Sequence, residues 1–170
     1  GDALSSGKLT FTPGLGQSGD FQFAVGSAGS ALLVLQTVLV PLMLADGPST
    51  VRIEGGTHNA WAPPIDFLQQ SFLPQLEKMG AKVNLRMERI GFFPAGGGVI
   101  FAEIQPLARA DAKPLTLLER GDSGHHYAII RRAHLAPNIC DREWDAMRRV
   151  LLWNSNQRRD FSHDESAGDR

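Results

Sequence analysis

From Phe23 to Ala45 the chain carries no formal charge. A run this long and this apolar leaves two outcomes: a segment that crosses a bilayer, or a helix buried nearly all round inside a globular domain. Ser27, Ser30, Gln36, Thr37 and Pro41 interrupt it, Gly26 and Gly29 sit near its start, and no basic flank marks a cytoplasmic side. Those residues favour the buried helix and argue against a membrane protein. Ser27 or Ser30 can cap the helix, and Gly47-Pro48 can end it.

Alternating patterns surround this helix. Lys8 to Thr12, Asp20 to Val25 and Val51 to Glu54 read as short strands. Pro63-Pro64 stand where proline opens a helix, and Ile65, Leu68, Phe72, Leu76 and Met79 then fall on one face, with Gly80 as the C-terminal cap and Pro74 as a potential kink. Val83, Leu85 and Met87 alternate with Asn84, Arg86 and Glu88, the pattern of a strand covered on one face only, and Gly98 to Gln105 is its expected partner. The order predicts an α+β layer with both helices on one side of a sheet.

After Pro106 the composition changes, and 107–114 read as a linker. Leu115 to Arg120 and Tyr127 to Ala133 are expected strands, and Asp141 is placed to cap a helix whose apolar face is Trp144, Met147, Val150 and Leu151. Residues 154–170 are polar, lack an apolar period and read as disordered. At 170 residues and 42% hydrophobic the chain can bury one domain and part of another. A net charge of -1 gives no global case for nucleic-acid binding, so any RNA contact has to come from a local patch. The single Cys140 allows no internal disulfide and fits a reducing, cytoplasmic setting. The start at Gly1-Asp2, without methionine or a signal segment, reads as an excised piece.

Three glycine-punctuated stretches carry a resemblance. Gly26-Ser27-Ala28-Gly29-Ser30 followed by Leu35-Gln36-Thr37-Val38-Leu39, then Gly55-Gly56-Thr57-His58-Asn59-Ala60-Trp61-Ala62-Pro63-Pro64, then Gly91-Phe92-Phe93-Pro94-Ala95-Gly96-Gly97-Gly98, resemble the RNA 3'-terminal phosphate cyclase family in order and spacing over roughly residues 8 to 120. Beyond Gly121 the resemblance weakens, and the tail does not resemble the family's continuation. The resemblance implies a repeated unit of a four-stranded sheet with two helices on one face, also found in enolpyruvyl transferases. On that basis 1–19 are the tail of a preceding repeat, 20–106 the central repeat, and 115–153 the start of an inserted smaller domain.

It also implies chemistry for a complete relative. A histidine attacks the α-phosphate of ATP, AMP passes to an RNA 3'-phosphate, and the neighbouring 2'-hydroxyl closes a 2',3'-cyclic phosphate, with a divalent metal (Mg or Mn) assisting. That histidine belongs to the last repeat, so no catalytic residue is expected in this chain, and the piece alone is expected to be inactive. By resemblance Gln36 contacts ATP near its phosphates and Pro63 forms one wall of the adenine pocket, with Ser27 and Ser30 in support. From the residues alone the alternatives are plain: a helix amide bonded to nearby backbone, a helix-starting proline, and glycines that serve close packing.

Trp61 offers a second stacking surface. His58 has the chemistry of a nucleophile, but by resemblance the family carries other residue types there, and the assignment is rejected. His125, His126, His134 and His163 read as surface or structural. Arg86, Arg89 and the pairs Arg131-Arg132, Arg148-Arg149 and Arg158-Arg159 could meet phosphates, though such pairs are usually solvated. The competing functional readings are a non-catalytic cyclase-like protein of ribosome assembly and an inactive gene remnant.

Overall fold

The computed structural model describes residues 6–8, 10–121 and 126–162. Strand β1 (Asp20–Ala24) leads through helix α1 (Ala31–Met43) to β2 (Ser49–Gly55). Helix α2 (Ile65–Phe67), a π-helical turn (Leu68–Phe72) and α3 (Leu73–Lys78) follow as one rod, and β3 (Val83–Arg89) and β4 (Gly98–Ile104) complete a sheet of order β1-β2-β4-β3. β1 and β2 are parallel and the other pairs antiparallel, so the expected α+β class is what forms. A second unit holds β5 (Ala128–Arg132), α4 (Pro137–Leu151) and β6 (Arg158–Ser162), with β5 and β6 paired in parallel.

The register explains the burial. Phe21, Val51, Ala102 and Leu85 lie across from one another on one sheet face, as do Phe23, Ile53, Ile100 and Met87. Onto this face α1 places Leu32, Leu35 and Leu39, and the broken rod places Ile65, Leu68 and Phe72. The other face carries polar pairs: Thr50 to Asp20, Arg52 to Glu88, and Asn84 to Glu103. Sequence alternation reads that division correctly because one buried face imposes a period of two. Among the described residues no helix is long and apolar enough to cross a membrane.

Several expectations need correction. Of Lys8 to Thr12, Leu9 lies outside the described residues and the others form no strand; neither do Leu115 to Arg120. Helix α1 stops at Met43 with Leu44 as its cap, three residues before Gly47. The prolines precede their helix: Pro64 is the extended N-cap of α2. Pro74 falls in the first turn of α3, directly after the π turn, where the N–H it lacks is not needed for a regular helical bond.

Helix α4 begins at Pro137, four residues before Asp141, which lies inside it and binds Arg158 at 2.8 Å. Residues 155–162 are ordered, through a 3₁₀ turn (Ser155–Gln157) and β6. There the strand is held by its ladder with β5 rather than by an apolar stripe of its own.

Other caps stand where expected. Ser30, not Ser27, accepts the Leu33 N–H at 3.3 Å. Gly80, at φ +102, takes the left-handed position after Met79, and the N–H groups of Gly80 and Ala81 bond Glu77 O and Leu76 O, closing a Schellman motif. The 107–114 segment is tied to the sheet unit at two points, Leu107 N–H to Met43 O and Lys113 N–H to Met79 O.

Candidate functional site

The three glycine stretches meet at one end of the sheet. Gly29 O accepts the Gly56 N–H at 2.7 Å, Gly56 O accepts the Ala31 N–H at 2.9 Å, and Gly91 O accepts the Thr57 N–H at 2.9 Å. The backbones are so close that a Cβ at Gly56 would lie 2.6 Å from Ala28 O and from the Asn59 amide, and one at Gly98 would lie 2.8 Å from Gly55 O. Close approach of three loops is therefore what these two glycines permit.

Two recesses flank this junction. The first is a hollow of about 460 Å³ at the start of α1, with Ser27, Ser30, Leu33, Asn59, Trp61 and Phe93 among its walls. Trp61 is 96% exposed and Phe93 75% exposed, so both rings offer open faces. Asn59 bonds Ala28 O through its amide nitrogen, while its buried Oδ1 has no partner among the described residues. Three backbone N–H groups at this helix start are engaged within the protein: the Gly29 N–H bonds Ser27 Oγ, the Ala31 N–H bonds Gly56 O, and the Leu33 N–H bonds Ser30 Oγ.

Gln36 and Pro63 are not walls of the hollow; each follows one of its walls in sequence, Leu33 and Ala62 respectively. Gln36 is half-buried, one helical turn beyond Leu33, and its side chain makes no hydrogen bond with a described residue. It is thus less buried than its apolar neighbours suggested. Pro63 stands between Ala62, which lines the hollow, and Pro64, which lines the second recess.

That second recess is a cleft of about 580 Å³ between the sheet unit and the β5–α4–β6 unit. A polar chain runs through it. Thr57, fully buried, accepts the Gly91 N–H and lies 2.9 Å from His58 Nδ1; His58 Nε2 lies 3.1 Å from Asp66 Oδ2; Asp66 Oδ1 accepts from Arg131 Nη2 at 2.6 Å. Burial pushes the His58 imidazole below its ordinary pKa of 6.5 despite the opposing pull of Asp66. A neutral ring that donates through Nε2 to Asp66 can accept at Nδ1 from the Thr57 hydroxyl, whose single proton has Gly91 O at 3.2 Å as its other acceptor. Burial works to raise the Asp66 pKa, but hydrogen bonds from Arg131 and His58 together hold it below 3.8.

Both His58 nitrogens are thus engaged, which favours holding the loop over attacking a phosphorus. His126 is exposed beside Trp153, and His125 and His163 lie outside the described residues. Most of the arginines offered to phosphates have protein partners: Arg86 lies over the Phe101 ring, Arg148 binds Asp145, and Arg158 binds Asp141 and Asp160.

The network predicts a pH dependence. Because the folded chain keeps His58 neutral where an unfolded imidazole binds a proton, the unfolded state takes up more protons below about pH 6.5, and stability falls as pH drops from there. Asp66, with its pKa lowered, extends the loss below about pH 3.8. Urea midpoints between pH 8 and 5 should decline in the wild type and decline less in His58→Asn; matching curves would remove His58 as the cause.

Sequence comparison supplies what the geometry does not. The family model of RNA 3'-terminal phosphate cyclases matches residues 1–163. The chain belongs to that family. Its relatives include the RNA 3'-terminal phosphate cyclases of Koribacter versatilis, 48% identical over 99% of this chain and 47% of the relative, and of Pseudomonas fluorescens, 49% identical over 88% of this chain and 42% of the relative. A third, from Ralstonia nicotianae, is 45% identical over 86% of this chain. The chain therefore spans under half the length of these cyclases.

Cyclase similarity runs well past Gly121 and into the tail, correcting the expectation that it fades there. Of the two residues that link the units, Asp66 went unnoticed in the sequence and Arg131 was read only as one of a pair that could meet phosphates. Their only signals were an acidic residue in a first helical turn and one arginine of a pair.

Proposed function

We propose that the protein containing this chain is an ATP-dependent RNA 3'-terminal phosphate cyclase that converts an RNA 3'-phosphate to a 2',3'-cyclic phosphate through a histidine-AMP intermediate. The family match carries the reading. The hollow at the start of α1 supports it further, since it is walled by the open rings of Trp61 and Phe93 and by Leu33 and Ala62, the near sequence neighbours of Gln36 and Pro63. Flat apolar surfaces beside a free carboxamide suit the adenosine half of ATP.

No lysine or arginine lines that hollow, so the phosphates find no counter-charge there. Nor do three His, Cys, Asp or Glu side chains converge among the described residues, so no step is assigned here to a divalent metal. In this reading the chain is the central repeat (20–106), a linker (107–114) and the start of the inserted domain, acting in the cytoplasm, with the nucleophilic histidine in another repeat. The chain alone is then inactive. Its free Gln36 amide and the placement of Pro63 favour the enzyme over a non-catalytic relative.

The test is Gln36→Ala in the full-length protein. Transfer of label from α-labelled ATP to protein should fall by about tenfold, the loss of one hydrogen bond to a charged ligand, with the melting temperature nearly unchanged. Unaltered labelling would remove Gln36 from the site.

A further inference from the structure

We infer that the cleft between the two units receives nucleobases of a single RNA strand, stacked on a platform formed by Tyr127 and Arg159. The inference rests on the cyclase reading, which makes RNA the macromolecule to be held. In β5, Ile130 turns toward Cys140 and Trp144 of α4, which leaves Ile129 and Arg131 on the opposite face. Arg159 pairs in register with Ile129, and Tyr127 continues the alternation. Tyr127, Ile129 and Arg131 of that face line the cleft, and Arg159, though not one of its walls, lies over the Tyr127 ring.

Two features give it a chemistry. The Arg159 guanidinium carbon lies 4.3 Å from the Tyr127 ring centroid, and Arg159, exposed, forms no ion pair with a described residue. Phe92 and Trp153 add ring surfaces to the other walls. Planar rings layered with a guanidinium accept a base on the face and a phosphate at the edge. An apolar partner would have no use for the guanidinium, and a lone phosphate none for the rings.

The cleft is also held open at a set width. Tyr127 Oη donates to Gln70 Oε1 at 3.2 Å, and Arg131 meets Asp66 at 2.6 Å, so two bonds span the units. Binding then needs little reorganisation.

ATP and RNA both present bases, and the experiment must separate them. In the full-length protein, two quantities are measured for wild type, Tyr127→Ala and Tyr127→Phe: the Kd of a single-stranded oligoribonucleotide carrying 2-aminopurine near a 3'-phosphate, and the RNA-independent transfer of label from ATP to protein. Tyr127→Ala should raise the Kd about fivefold or more while labelling stays at the wild-type level. Tyr127→Phe, which keeps the ring and loses only the bond to Gln70 while Arg131 and Asp66 still span the units, should keep most of the affinity and lose clearly less than Tyr127→Ala.

An unchanged Kd in Tyr127→Ala, or an equal loss in both variants, overturns the platform. Reduced labelling in Tyr127→Ala would give the cleft to ATP instead. Wild-type protein that binds the oligonucleotide through Tyr127 yet takes no label would sink the cyclase reading and leave the cleft assignment standing.

Discussion

Leu35→Asp is expected to abolish cooperative melting of the sheet unit. Leu35 has no solvent exposure and sits at the centre of the contact between α1 and the sheet. Losing its burial costs about 2 kcal/mol, the void adds to that, and a carboxylate forced into the same place costs several kcal/mol more. The sum approaches the whole stability of an ordinary domain, about 5–15 kcal/mol. Val40, half exposed on the same helix, provides the contrast: Val40→Asp should shift stability by no more than about 0.5 kcal/mol. Circular dichroism melts of both decide the point, and a soluble, cooperatively melting Leu35→Asp protein would contradict the packing of α1.

Asp66→Ala should be the next most damaging change, and its effect should concentrate between the units. It deprives both His58 and Arg131 of their shared carboxylate. Breaking a buried pair costs about 3–5 kcal/mol; here each side chain keeps about a fifth of its surface in water (22% for Asp66, 18% for Arg131), so about 2 kcal/mol is the expected loss. Replacing both partners, Asp66→Leu with Arg131→Met, should be milder than the single change, because neither charge of the pair is then left without its partner. Urea denaturation of the three variants measures this, and additive losses would show that the pair is not coupled.

What was legible in the sequence followed from local rules. Alternation at Val83, Leu85 and Met87, the helical spacing from Ile65 to Leu76, and the caps at Ser30 and Gly80 all report one buried face or one helix terminus, and each stands in the fold. The misses came where long-range pairing or unusual backbone decides. β6 is polar and exists because β5 accepts it in register. Helix α4 ends at Leu152 in a left-handed conformation (φ 55) usually left to glycine, and begins on Pro137, whose preference for a first helical turn was the overlooked signal.

The site divides the same way. The residues around the hollow came from contiguous motifs, whereas Asp66 and Arg131 lie 65 positions apart and meet only because the second unit docks there. No period or spacing in a single sequence connects them.

The parallel pairing of β5 with β6 sets an order of assembly. Every strand of the sheet unit has been synthesised once Ile104 is added, before any residue of β5. β5 has no ladder partner until Arg158 emerges, after the whole of α4. The wall bearing Asp66, Gln70 and Phe92 thus exists first, as a preformed surface against which the ribbon bearing Tyr127 and Arg131 condenses. The cleft is therefore the last part of the chain to take shape during synthesis, so a nascent chain halted before β6 would carry a finished hollow and only one wall of the cleft.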